Sequence, residues 1–370
     1  MASRLLRRVT TEDNLWAAWR QVKAAGAGPG LDGRGLEFYA NEPERLLDRL
    51  QHELRAGRYE PWPLRRAWVP KRGGRWRAVG VGTVRDRVAQ RAVLHLLAPR
   101  AEEIFNETSF AYRAGRGVRQ AVASIDRARR DGLVEVFETD IADCFDSLDH
   151  ELLRAAIRGL VPESDVRALC WAWLRAGVVT NGQLVRPRRG VAQGDLLSPL
   201  WCNLYLDPFD DSAEGRSGQL VRYADDLLYL TRTPAGAEAA QAHVTRELER
   251  LRLRLNPDKT RLTSFEEGFE YLGLEFHGSL ITDLTWRPAV RGRPLIVGGY
   301  DQPVARRPGE RPPQVGPPGS RWRYALDAEI ARAARRGRPP SQMAQAIAEA
   351  LAAAEEEAET EANQRSARLL

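Results

Sequence analysis

Leu220-Val-Arg-Tyr-Ala-Asp-Asp-Leu-Leu-Tyr-Leu230 is the stretch on which the reading of this chain turns. Two β-prone runs, Leu220 to Tyr223 and Leu227 to Leu230, flank Ala224-Asp225-Asp226. The stretch predicts a hairpin with two adjacent carboxylates at its tip. Adjacent carboxylates repel each other, and a tight turn rarely needs both. Asp in a turn has an ordinary conformational explanation, however, so the pair alone decides little. A second stretch, Asp140-Ile-Ala-Asp-Cys-Phe-Asp146, follows a β-rich segment, Val134 to Phe137. A carboxylate at the end of a buried strand can hold a divalent cation in a cleft; Asp140 can equally cap a following helix. If the hairpin packs beside that strand, three carboxylates converge. Mg²⁺ held by few carboxylates plus phosphate oxygens suits such a place. Two ions roughly 4 Å apart can activate a hydroxyl and stabilise a departing pyrophosphate.

Working outward, the N-terminal 60 residues read as helical. Thr11 leads into a capped amphipathic helix, Gly26 to Gly35 is a loop, and Pro43 to Leu54 repeats leucine at helical spacing. Arg65 to Val69 and Arg75 to Val81 predict a hairpin turned by Lys71-Arg-Gly-Gly. Helices are expected over Val84–Ala98, Val118–Ala128, His150–Leu160, Ser164–Ala176, Leu197–Phe209 and Ala235–Leu253. Leu133–Thr139 and Phe269–Glu275 read as strands, and Asn181-Gly182 is a strong hairpin signal. Composition changes near Gly278: residues 281–320 carry eight prolines. Two helices are expected beyond them, Trp322–Arg335 and an Ala- and Glu-rich Ser341–Ala362.

Composition bounds the class. The 370 residues are 43% hydrophobic and 29% charged, enough for one large or two modest domains. No apolar run approaches the roughly eighteen residues of a transmembrane helix, and the apolar stretch at the N-terminus is too short for a secretory signal. The expectation is a cytoplasmic protein without a membrane partner. Cys144, Cys170 and Cys202 are scattered singly, which argues against a zinc or disulfide framework. Net charge is +6, and Pro61 to Gln120 holds 13 Arg or Lys against 4 Asp or Glu. That stretch is suited to phosphates or is simply a solvated basic surface. From Ser341 to the end the balance is 2 against 6. Lysine survives only at Lys23, Lys71 and Lys259, where a charge able to give up its proton can matter.

With these residues in view, the chain resembles a reverse transcriptase of the group II intron lineage over roughly residues 25–280. The blocks run in the family's order: Pro70-Lys-Arg-Gly-Gly-Arg-Trp-Arg77, Thr83-Val-Arg-Asp-Arg-Val-Ala-Gln90, Ser109-Phe-Ala-Tyr-Arg-Ala-Gly-Arg116 and the Asp140 stretch. Gly190-Val-Ala-Gln-Gly-Asp-Leu-Leu-Ser-Pro199, Tyr223-Ala-Asp-Asp226, Asn256-Pro-Asp-Lys259 and Tyr271-Leu-Gly273 complete the set. The resemblance implies an α+β right-hand polymerase whose antiparallel palm sheet is backed by helices. Residues 1–135 would form an N-terminal extension and fingers. Residues 136–280 would form the palm, with a fingers segment inserted near 165–192. Residues 281–370 would be a Pro-rich arm and helices in place of a thumb, reduced or atypical because they lack a long basic character.

It also implies roles. Asp140, Asp225 and Asp226, with Ile141, would hold two Mg²⁺ ions, Mn²⁺ being a possible substitute. Lys71 and Arg77 would grip the incoming triphosphate, and Asp143, Phe145, Gln193 and Gly194 would contact the nucleotide. Phe145 would block a ribose 2′-hydroxyl, Gly194 would let the backbone approach closely, and Lys259 would act as general acid. Arg113 and Arg116 would hold template phosphates. The implied partners are an RNA template, a DNA or RNA primer and deoxynucleoside triphosphates. Two departures stand out, Ala192 where many relatives have Pro, and Asp195 after Gly194. The blocks at Ser109–Val122 and Asn203-Leu-Tyr-Leu-Asp207, with the spacing from Gly33 to Pro70, are more similar to CRISPR-associated reverse transcriptases. That implies work with the CRISPR adaptation integrase in acquiring spacers from RNA. A stand-alone transcriptase in another defence or repair role and a maturase-like splicing cofactor stay open.

Overall fold

The computed structural model describes residues 2–70 and 76–283. The Lys71-Arg-Gly-Gly turn, the Pro-rich arm beyond residue 283 and the two expected C-terminal helices lie outside the described residues.

The chain opens with α1 (Arg4–Val9), α2 (Glu12–Ala25), α3 (Leu36–Ala40) and α4 (Pro43–Arg55). Leu46, Leu47, Leu50 and Leu54 put the leucine stripe of α4 inward, as its spacing predicts. The Thr11 hydroxyl does not cap α2; it donates instead to the Arg8 carbonyl at 3.1 Å. Next come β1 (Leu64–Pro70), β2 (Trp76–Val81), α5 (Val84–Glu102) and α6 (Val118–Arg130). Thr83 caps α5 by accepting from the Asp86 amide at 3.1 Å. That helix is buried on most sides, against α1, α2, α4, α8 and α10 of the list completed below.

The central stretch holds β3 (Glu135–Asp140), α7 (Cys144–Ser147), α8 (His150–Leu160), α9 (Ser164–Ala176), β4 (Val178–Thr180), β5 (Gln183–Val185) and α10 (Ser198–Asp211). β6 (Gln219–Tyr223), β7 (Asp226–Thr231), α11 (Pro234–Arg250), a 3₁₀ turn at Pro257–Lys259 and β8 (Arg261–Ser264) follow. β9 (Phe269–Tyr271), β10 (Leu274–His277) and β11 (Leu280–Asp283) end the described chain.

The palm sheet runs β6-β7-β3-β8, antiparallel throughout. Both faces are covered, and strand alternation sorts the side chains between two cores. Phe137, Leu220, Leu227 and Tyr229 enter the large core shared with α10 and α11. Val136, Val221, Leu228 and Leu230 enter a second core with α6 and the β9–β10 hairpin. Burial on both faces explains why β7 reads as a nearly continuous apolar run. This is the antiparallel, helix-backed sheet expected of the palm.

A second sheet runs β2-β1-β4-β5. Here β1 pairs with β2 antiparallel and with β4 in parallel, through Leu64 opposite Val178 and Arg65 opposite Val179. Asn181 and Gly182 both have positive φ, as a two-residue hairpin turn requires. The single strand expected over Phe269–Glu275 is instead broken. Leu272 and Gly273 both take positive φ, which folds β10 back onto β9.

Candidate polymerase active site

Asp140 is the last residue of β3 and lies in register opposite Asp226, the first residue of β7. Asp226 is thus the first paired residue of the strand, and Ala224-Asp225 alone form the turn. Ala224 takes a φ of 59°, a left-handed conformation that costs a residue with a β-carbon about 1 kcal/mol. The strand end is fastened on both sides. The Ile141 amide donates to the Asp225 carbonyl at 3.0 Å, and the Asn256 amide to the Asp140 carbonyl at 2.9 Å. Asp140 caps no helix; α8 is capped by Asp149, whose carboxylate accepts from the Glu151 amide at 2.9 Å.

The carboxylates are strained electrostatically. Burial, then the neighbouring Asp140, raises the pKa of Asp225; burial, then Asp225, pushes Asp226 up to about 6. Lys259 donates to one oxygen of Asp140, and that hydrogen bond raises the lysine pKa. The other oxygen, Oδ1, is buried and has no hydrogen-bond partner. Among the described residues no three His, Cys, Asp or Glu side chains already stand as a metal-binding set. Even so, an unpartnered carboxylate oxygen beside two acids that resist ionisation fits a cation held between them.

Around this cluster, Arg77 is exposed on β2 and lowers the pKa of Asp225, so its charge reaches the carboxylates. Lys71 lies outside the described residues. Ile141 has a fully buried side chain, which leaves its backbone carbonyl as its sole possible ligand. Asp143 is exposed, with a φ of 46° at the start of α7. Phe145 is half-buried, with its ring edge-on to Tyr112 at 6.3 Å. Gln193 and Gly194 lie against β2, where the Gly80 amide donates to the Gln193 carbonyl at 2.7 Å. A β-carbon on Gly194 would sit 3.0 Å from the Gly80 carbonyl oxygen, and its φ is 92°. The close backbone approach expected of Gly194 is therefore an approach to the fingers strand.

Arg113 requires a correction. Its side chain is 1% exposed, paired with Glu102 at 2.6 Å, and donates to the carbonyls of Phe105, Asn106 and Ser109. With its donors spent on protein carbonyls it braces the loop before α6 and does not reach a template phosphate. Arg116 is half-buried, paired with Glu107 and 3.7 Å from Glu102.

A profile of the family reverse transcriptase (RNA-dependent DNA polymerase) matches residues 69–276. The chain belongs to the reverse transcriptase family. It is 32% identical over 311 residues to protein YkfC of Escherichia coli K12, covering 73% of this chain and 82% of that protein. It is 30% identical over 212 residues to the group II intron-encoded protein LtrA of Lactococcus lactis, covering 56% of this chain but only 35% of LtrA. In fold it matches telomerase from Candida tropicalis with a TM-score of 0.50 at 14% identity, over 70% of this chain and 51% of that one.

The sequence left this reverse transcriptase's buried scaffold without roles. Arg222, fully buried, donates to Asp210 at 2.7 and 2.5 Å, to the Asn203 side chain at 3.0 Å and to the Ala224 carbonyl at 3.1 Å. Asn203 in turn donates to the Ala111 carbonyl at 2.8 Å. The Tyr271 hydroxyl lies 3.2 Å from the Val221 carbonyl and 3.1 Å from that of Asp226. These groups grip the Ala224-Asp225 turn from beneath. One signal was readable: an arginine between the apolar residues of a buried strand needs a buried acid somewhere.

Proposed function

We propose that this reverse transcriptase extends a primer 3′-hydroxyl along an RNA template by two-metal nucleotidyl transfer. Asp140, Asp225, Asp226 and the Ile141 carbonyl would hold two Mg²⁺ ions, or Mn²⁺ in their place. Bound there, the ions supply activation of the hydroxyl and neutralisation of the departing pyrophosphate. The observation that carries this is Asp140 opposite Asp226, with Asp140 Oδ1 buried and unpartnered.

The chain's own groups account for the rest. Arg77, and Lys71 by sequence, bind the triphosphate of the incoming deoxynucleotide. Lys259, which donates from Nζ to Asp140 beside the acid cluster, would deliver its proton to the leaving pyrophosphate. Phe145 lies under the sugar beside Asp143, and Gln193 and Gly194 form the floor. Arg116 takes template phosphates with the face it leaves exposed. In this reading fingers and palm meet near residue 135, and the palm ends near residue 280.

The acid pair sets the test. Asp225→Asn should keep the thermal unfolding midpoint near that of the wild type. It should also abolish Mg²⁺-dependent extension and weaken Mn²⁺ binding measured by titration calorimetry. Near wild-type extension by that variant would sink the two-metal reading.

The narrower role we infer is support of CRISPR spacer acquisition from RNA, alongside an adaptation integrase. It is supported by the blocks at Ser109–Val122 and Asn203–Asp207. A maturase-like role requires a basic thumb surface, and the acidic balance from Ser341 onward speaks against one.

A further inference from the structure

Away from the carboxylates, α8 and α9 enclose a groove of about 370 Å³ lined by Arg154, Arg158, Arg167, Ser164 and Trp171, with Ile157 at its base. Arg154 and Arg158 stand four positions apart on α8, one helical turn or about 6 Å along its axis. Both are exposed and have no acidic partner among the described residues. Arg154 also lies over the half-buried Trp171 ring, 5.3 Å from its centre. Arg167 is anchored through one nitrogen to the carbonyls of Val161 and Pro162, both at 2.9 Å.

The acids beside the groove are engaged elsewhere. Glu151 pairs with Arg252 at 3.2 Å, Glu163 with Arg100 at 3.2 Å, and Asp165 accepts from the Ser3 amide at 2.6 Å. The groove thus keeps its positive charge uncompensated. Its apolar wall is held in place, because the His150 ring is edge-on to Trp171 at 5.8 Å and donates through Nε2 to the Gly190 carbonyl at 2.7 Å. Paired cations beside an indole are complementary to carboxylates carried on an otherwise apolar segment.

One run of this chain, outside the described residues, has that character. Glu355-Glu-Glu-Ala-Glu-Thr-Glu361 holds five glutamates and no basic residue. In the helix expected over Ser341–Ala362, Glu355 and Glu359 repeat at the same four-residue interval as Arg154 and Arg158, with Ala358 on the same face. The 71 residues between Asp283 and Glu355 would measure about 105 Å even if wholly helical, against a breadth of roughly 50 Å for a body of this size. Length therefore lets the run reach any face. We propose that the groove docks this run, with Glu355 and Glu359 on the two arginines and Ala358 against Trp171. Exposed ion pairs are individually weak, and attachment to the same chain offsets that weakness by making docking intramolecular. A partner protein that takes the same run would have to displace it from the groove.

The experiment uses the full chain and the scarcity of its lysines, which occur only at Lys23, Lys71 and Lys259. Arg158→Lys places a single new amine in the groove, and Arg45→Lys places one on exposed α4 as a control. Each variant is treated with a water-soluble carbodiimide, which joins an amine to a carboxylate in direct contact, and the linked peptides are mapped by mass spectrometry. The Lys259–Asp140 pair serves as the internal reference. Position 158 should link to glutamates of the 355–361 run several-fold more than position 45 does. That yield should fall when Arg154→Gln is added, and in about 0.5 M NaCl, where the screening length is roughly 4 Å. Equal yields from positions 45 and 158, or links from 158 confined to the acids of α8 and α9, would overturn the proposal. Links that join two chains, seen as dimers on a denaturing gel, would give the run to a second copy and overturn docking within one chain. Absence of links to the run, with RNA affinity lowered by Arg154→Gln and Arg158→Gln together, would give the groove to nucleic acid instead. None of these readouts uses polymerase activity, so failure here is distinct from failure of the two-metal reading.

Discussion

Phe145 is the side chain on which the proposed choice of DNA over RNA rests. It follows Asp140 by five positions and presents a half-buried ring braced by Tyr112. A ribose 2′-hydroxyl set against that ring meets packed carbon that yields only with strain, and it loses water without gaining a partner. The two effects together should amount to about 2.7 kcal/mol, a hundredfold in selection. Phe145→Ala should therefore raise kcat/KM for ribonucleotides relative to deoxynucleotides on one RNA template, with extension retained. An unchanged ratio would return the ring to a packing role. Arg113 is the contrary case at this scale. Its residue type and motif suggested phosphate binding, and its burial among carbonyls shows a brace.

At the scale of elements, the Ala224-Asp225 turn proposed as catalytic is the tip of a short hairpin held by its neighbours. The β9–β10 hairpin packs across the palm sheet, and Tyr271 reaches the carbonyls of Val221 and Asp226. Losing that hydroxyl leaves a buried acceptor short of a donor, worth about 1 kcal/mol. Tyr271→Phe should lower unfolding free energy by roughly that amount in urea titrations. It should also reduce kcat several-fold with little change in KM, because the turn carries the carboxylates proposed to hold the metals and not the bulk of the proposed substrate contacts. A fall in KM-dependent rate with kcat intact would show that Tyr271 supports binding instead. The buried Arg222–Asp210 pair adds little net stability for its desolvation cost. Its value is geometric, since its remaining donors fix Asn203 and the strained Ala224 carbonyl.

Across the whole molecule, the fingers strands and the palm floor are joined at close backbone contacts. Gly194 meets β2 at Gly80, and a β-carbon on Gly190 would lie 2.7 Å from the backbone of Asp146. The stretch from Gly190 to Gly194 is thereby clamped between β2 and α7. Among the described residues no helix is long and apolar enough to cross a membrane. The acidic C-terminal stretch, with 2 basic against 6 acidic residues from Ser341, is poorly matched to RNA and better matched to a protein. Deleting residues 337–370 should leave extension on a short template largely intact and weaken capture of the adaptation integrase proposed as a partner. Equal capture by both forms would remove the docking role.

Much of the candidate site was legible because its signals are local. Adjacent aspartates between two β-prone runs, a strand ending in Asp140, and Asn181-Gly182 each depend on residues within a few positions. Ordered blocks then extended that reading to the family. What only the tertiary structure decided depends on partners far away in the chain. The parallel pairing of β1 with β4 joins Leu64 to Val178, and no local periodicity encodes which strand a strand will meet. The break at Leu272-Gly273 was hidden because apolar residues on both sides suit one strand as well as two. The fates of the arginines were hidden for a related reason. A guanidinium reads the same in sequence whether it meets phosphate, like the role proposed for Arg77, or a buried carboxylate, as Arg222 does. Burial and the distant acid, Asp210, settle which it is, and both exist only once the chain has packed.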